Sequence, residues 1–228
     1  MNYKVRCNKV ESNDSNLRGL GTIVIDDKFV INGVRLVKRD DGFAVHYPSR
    51  KCEKEESGYR TIAYPGSKEL AAKLAEAMAK SVFEEGAYKV VDTDTPFSLS
   101  VKVTPYEKES LLGFCEVYFD DKDHHEFVLN DITLRKGKDG TPFLAMPNHK
   151  KRDPDEFGNP VYADVMNPIT KEFYTELNEM VQKEYERSLE KKEAREREES
   201  VYAWPEQEDV AETPVTEKKQ KAKKEKSR

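Results

Sequence analysis

The chain has 228 residues, 36% of them hydrophobic and 36% charged, with a net charge of −5 at neutral pH. So small an apolar share is low for one compact body of this length, and part of the chain is expected to stay solvated. No run of about 18 apolar residues exists to span a membrane. Three cysteines (Cys7, Cys52, Cys115) are too few, and odd in number, for a disulfide frame; they fit reduced thiols in the cytoplasm.

In chain order, the opening MNYKVRCNKVES has no apolar signal core, so export is not expected. Alternation of Val5 and Cys7 with polar neighbours over 3–10 predicts a strand. The β-branched run 19–25, the Asp26-Asp27 punctuation and the run 28–37 predict a hairpin. Asp41-Gly42 marks a turn before a strand at 43–47. A charged loop over 48–58 and a short strand at 59–63 lead to Pro65. Ser67 then caps a helix whose Leu70, Leu74, Met78 and Val82 form one apolar stripe.

The second half repeats this order. FVINGVRLVKRDDG (29–42) aligns without a gap on FVLNDITLRKGKDG (127–140), with seven identities. LRGLGTIVIDD answers LLGFCEVYFDD upstream, and YRTIAYPGSKE answers YADVMNPITKE downstream. Thr170 takes the cap, and Phe173, Leu177, Val181 and Tyr185 take the stripe. A period near one hundred residues is too long for a solenoid and signals a duplicated domain. The expected organisation is a first repeat over 1–86, a linker over 87–98, a second repeat over 99–187, a charged helical extension over 188–199 and a disordered tail over 200–228. The fold class is α+β. Each repeat is an antiparallel sheet followed by one helix, and two such small units are expected to pair as a pseudo-two-fold dimer within the chain.

Charge is uneven. Residues 1–92 carry 16 Lys and Arg against 14 Asp and Glu; residues 93–187 carry 12 against 19; residues 188–228 carry 11 of each. A proline directly after a strand stops the ladder, so the residues after Pro48 and Pro147 leave the sheet edge. In the first repeat these are Arg50 and Lys51, with Arg60 returning across the loop mouth; in the second they are Lys150, Lys151 and Arg152. Cations so placed suit phosphate contacts. They equally suit a solvated charged loop, because Glu53, Glu55, Glu56, Asp153, Asp155 and Glu156 dilute the field. Tyr47, Tyr59 and Tyr64 could stack on unpaired bases, but strand aromatics more often enter the core. Only His124 and His125 cluster among the four histidines, and no Cys-x-x-Cys, Gly-rich phosphate loop or nucleophile motif occurs. No catalytic residue, metal or cofactor is expected.

FVINGVRL, then FAVHYPSRK, then YRTIAYPGS before a helix resembles the SpoVG family, whose pattern runs from Met-Pro-Ser and basic residues to an aromatic-basic-Asp-Ile stretch ending in His-Pro. The resemblance covers about three quarters of the chain, twice over. It implies a dimerising α+β domain that binds DNA or RNA as a bacterial regulator of septation, sporulation or gene expression, without enzyme activity; this chain would be a tandem version, with further homo-oligomers open. The pattern's basic-Asp pair is split: Arg60 keeps the base beside Thr61, whereas Ala163 precedes the retained Asp164. Tyr64 and Asn167 stand for its histidine. The two repeats are therefore not expected to bind equally; the first, which carries less negative charge, is expected to bind better. Two alternatives remain open: a protein-interaction module without nucleic-acid contacts, and binding through the tail lysines Lys218, Lys219, Lys221, Lys223 and Lys224.

Overall fold

The computed structural model describes residues 1–11, 16–120 and 125–202, the side chains through residue 198. Of the tail expected to be disordered over 200–228, residues 200–202 instead continue a helix, and 203–228 with the tail lysines lie outside the described residues, as does His124. Residues Met1–Lys192 form one compact unit.

The first repeat contributes β1 (Asn2–Lys9), β2 (Leu17–Ile25), β3 (Phe29–Arg39), β4 (Gly42–His46), β5 (Ser49–Lys51), β6 (Tyr59–Thr61), β7 (Ala63–Pro65) and α1 (Lys68–Phe83). The segment read as a linker holds a strand, β8 (Lys89–Asp92), and the second repeat follows with β9 (Leu99–Lys108), β10 (Leu111–Asp120), β11 (His125–Lys136), β12 (Pro142–Ala145), β13 (Asn148–Lys150), β14 (Tyr162–Asp164), β15 (Met166–Pro168) and α2 (Lys171–Tyr202). The expected α+β class, with antiparallel strands leading into one helix per repeat, is what the structure has. Its helix starts are the expected ones: Ser67 Oγ accepts from Leu70 N–H at 3.1 Å, and Thr170 Oγ1 accepts from Phe173 N–H at 3.1 Å. Each satisfies a backbone donor that the first helical turn cannot.

The strand order is β15-β3-β2-β1-β8 in one sheet and β12-β11-β10-β9 in the other, with β4 added to β3 and β7 to β11. The long strands β3 and β11 each divide one edge between two neighbours. Positions Arg35–Arg39 of β3 pair with β4 of the same repeat, whereas Phe29–Ile31 pair with β15 of the other. Likewise Thr133–Lys136 of β11 pair with β12, and Phe127–Leu129 pair with β7 of the first repeat. The exchange is reciprocal residue by residue: Phe29↔Pro168 matches Phe127↔Pro65, and Val30↔Asn167 matches Val128↔Tyr64. Gly66 makes the β7 approach feasible. Its N–H donates to the Glu126 carbonyl at 2.8 Å, and a Cβ there would lie 1.8 Å from the His125 carbonyl oxygen.

Alternation supplies the inner faces of the sheets. Tyr3, Val5 and Cys7 of β1, Ile23 and Ile25 of β2, and Phe29 and Ile31 of β3 are fully buried. Their partners come from both repeats: Phe29 meets Phe119 edge-on at 6.2 Å between ring centres, and Tyr3 and Tyr47 each lie 6.1 Å from Phe127. The core is therefore continuous across the duplication. Leu70, Leu74 and Met78 of the α1 stripe enter it, as do Phe173, Leu177 and Val181 of α2. Phe97, from the supposed linker, is packed between Phe119 and Phe173.

The second unit, from Glu193, is described only through Tyr202 and is helical. Its Arg197 and Glu193 pair at 3.4 Å, the i,i+4 support expected of a charged solvated helix.

Candidate nucleic-acid interface

Beyond Pro48 the chain does not enter a plain loop. β5 and β6 form a two-stranded arm in which Arg50 is directly opposite Arg60 and Lys51 opposite Tyr59. β13 and β14 form the matching arm of the second repeat, with Lys150 opposite Tyr162 and His149 opposite Ala163. Lys151 and Arg152 continue from β13, and Lys151 N–H reaches the Val161 carbonyl at 2.7 Å. All six sequence-selected cations thus lie on, or directly follow, these arms.

They fall into two groups. Lys51, Lys150, Lys151 and Arg152 are exposed and make no ion pair among the described residues. Arg50 and Arg60 are engaged. Opposite positions of an antiparallel pair share a face, where like charges repel, and the second repeat supplies the compensating acids. Arg50 Nε pairs with Asp131 Oδ2, and Arg60 pairs with Glu116 Oε1 at 3.2 Å. Glu116 Oε2 also takes Lys102 at 3.3 Å and the Tyr118 hydroxyl at 2.8 Å.

A bulge positions these acids. Between Cys115 and Val117 the register of β10 on β11 shifts, and Asp131 takes the left-handed conformation with φ +65°. The first repeat bulges at the same place, where Gly33 has φ +70°. The Asp131 side chain is only 6% exposed. Burial pushes its carboxyl up from the ordinary range, opposed by the Arg50 and Arg60 charges. Burial likewise pushes Glu116 up, but hydrogen bonds from Tyr118 and Lys102 and the Lys102 and Arg60 charges outweigh it, leaving the carboxyl below its ordinary value.

The sequence reading missed Lys102, Glu116, Tyr118 and Asp131 because they come from the other repeat. A signal was present in the alignment. Where Arg50 and Arg60 face Asp131 and Glu116, the corresponding second set is His149, Ala163, Gly33 and Thr22. Four charges are replaced together, so net compensation is kept. The tyrosines also divide. Tyr47 does enter the core, but Tyr59 and Tyr64 are 53% and 36% exposed. They line an open groove of about 470 Å³ together with Arg60, Glu116, Tyr118 and Asn130. Among the described residues there is no group of three acid, histidine or cysteine side chains able to hold a metal, and no helix long and apolar enough to cross a membrane.

Fold and arms together describe a duplicated α+β domain with a basic two-stranded arm on each copy. The SpoVG family model matches residues 1–84 and 98–187. The chain belongs to the SpoVG family, as a tandem duplication. Relatives carrying the name septation protein SpoVG include one from Treponema denticola, 35% identical over 81 residues (36% of this chain and 80% of the relative). One from Listeria monocytogenes is 33% identical over 88 residues (39% and 78%), and one from Acholeplasma laidlawii is 32% identical over 73 (32% and 76%). Each alignment is about the length of one repeat. No solved structure matches the chain.

Proposed function

We propose that this chain is a nucleic-acid-binding regulator of the SpoVG type, acting in septation or in gene control, with its two repeats paired as an intramolecular pseudo-dimer. The observation that carries the reading is the pair of arms: Lys51 on one, and Lys150, Lys151 and Arg152 on or directly after the strand of the other, are exposed cations with no ion pair among the described residues. Such groups displace counterions from a phosphate backbone and give affinity that falls with salt. Arg50 and Arg60 contribute less because Asp131 and Glu116 already neutralise them. The reciprocal β7–β11 and β15–β3 pairing supports the pseudo-dimer.

The test is binding to DNA and RNA oligomers across a salt series. Replacing Lys150, Lys151 and Arg152 by Ala should reduce the slope of log affinity against log salt on duplex DNA by ~2–3, since each phosphate contact contributes ~0.9. Absence of binding at low salt, or binding indifferent to salt, overturns the proposal. A second reading, a protein-interaction module, is favoured by the excess of 19 acids over 12 bases in residues 93–187. A partner protein retained after nuclease digestion, with no binding to oligomers, supports it.

A further inference from the structure

We infer that the groove between the first repeat's arm and β10 of the second repeat receives an unpaired nucleobase, which makes this protein selective for single strands at one end of its pseudo-two-fold. The inference rests on the nucleic-acid reading above and adds to it the form of nucleic acid and the place of contact.

The groove has three tyrosines. Tyr59 stands on β6 and Tyr64 on β7, both exposed, and Tyr118 stands on β10. Exposed aromatic rings on strands carry a hydration cost that stacking on a base removes. Tyr118 is already fixed: its hydroxyl donates to Glu116, and its other neighbour, the His125 ring, is stacked on it at 4.0 Å between centres with 21° between planes. Its orientation is therefore set before a ligand arrives, which lowers the entropic cost of binding. Arg60, 37% exposed, contributes a guanidinium plane at the groove wall. Asn130 donates to the Thr61 carbonyl at 3.1 Å, which ties the β11 wall to the arm. The groove is open and lined largely by polar groups, unlike a closed pocket for a small apolar molecule.

Pseudo-symmetry provides an internal control. Asn32 donates to the Asp164 carbonyl at 3.2 Å, so the second copy of the groove has the same backbone frame. Its side chains differ: Asn167 stands for Tyr64, Val24 for Tyr118, Ala163 for Arg60 and Thr22 for Glu116. Only Tyr162 is kept as an exposed ring. One exposed ring at one end, against three tyrosines at the other, points to one base-binding groove per chain. The charges at the groove compensate, Arg60 and the neighbouring Lys102 against Glu116 and Glu55, which suits a base better than a phosphate.

The experiment measures binding of the full chain to dT15, rU15 and a dT15·dA15 duplex. The variants are Tyr64→Asn, which installs the residue of the second repeat, Tyr64→Phe, which keeps the ring, and Tyr162→Ala as the control outside the groove. Tyr64→Asn should weaken single-strand binding about tenfold, as loss of one stacked base does. Duplex binding should stay within about twofold, and Tyr64→Phe and Tyr162→Ala should behave as the parent. Equal loss on single strand and duplex, or no loss on either, overturns the groove while leaving the phosphate-binding arms in place. No binding of any oligomer by the parent protein at low salt overturns both.

Discussion

Replacing Arg50 with Ala takes the ion-pair partner from a carboxylate that is 6% exposed, while Arg50 itself is 53% exposed. Breaking a fully buried pair costs ~3–5 kcal/mol, but water reaches Arg50, so a loss of about 2 kcal/mol is expected. Asp131→Gly also removes the pair, yet it removes the buried charge and relieves the φ +65° backbone, as Gly33 does in the first repeat. Its cost should stay below about 1 kcal/mol. The double variant should then be more stable than Arg50→Ala alone. The pH dependence has a definite sign. Burial raises the Asp131 carboxyl against the opposing Arg50 and Arg60 charges, so removal of Arg50 raises it further. A raised carboxyl contributes stability that is full at low pH and lost as pH rises through the folded value. The Arg50→Ala deficit should therefore be greatest near neutral pH and shrink toward acid. Urea unfolding followed by circular dichroism, at several pH values, measures all four corners of the cycle. Additivity of the two single losses, within about 0.5 kcal/mol, would refute the coupling.

Two further outcomes follow from buried groups. Tyr3 donates from its hydroxyl to Glu126 at 3.1 Å, and Glu126 Oε2 already has no partner among the described residues. Tyr3→Phe strips the carboxylate of that bond and should cost ~1–3 kcal/mol, read as a lowered unfolding midpoint; an unchanged midpoint would mean that water satisfies Glu126. Burial pushes the Cys7 thiol up to about 11 and the Cys115 thiol up to about 12, whereas Cys52 lies partly exposed on the first arm. A thiol reagent near neutral pH should modify one cysteine rapidly, and mass mapping should find it at Cys52. Rapid modification of Cys7 or Cys115 would contradict the packing around them.

Reading the residues in order located most of the strands, both helix caps and both apolar stripes, because each depends on local periodicity. Three features escaped it. Residues 49–51 form a strand because Ser49–Lys51 find a partner in Tyr59–Thr61, and nothing in three polar residues announces that pairing. Lys89–Asp92 becomes an edge strand because β1 has a free edge there. Tyr59 and Tyr64 stay outside the core even though strand aromatics usually enter it, since Ile62 and Ala63 between them take the inward positions.

The amino-acid order by itself established that one sheet-and-helix unit occurs twice and that cations follow the proline in each copy. Tertiary structure decided which of those cations remain available. Arg50 and Asp131 are far apart in the chain and meet only because β7 crosses to β11. Either repeat offers an equivalent edge to such a strand, so local pattern cannot specify the choice. Complementary burial and charge across the assembled halves do.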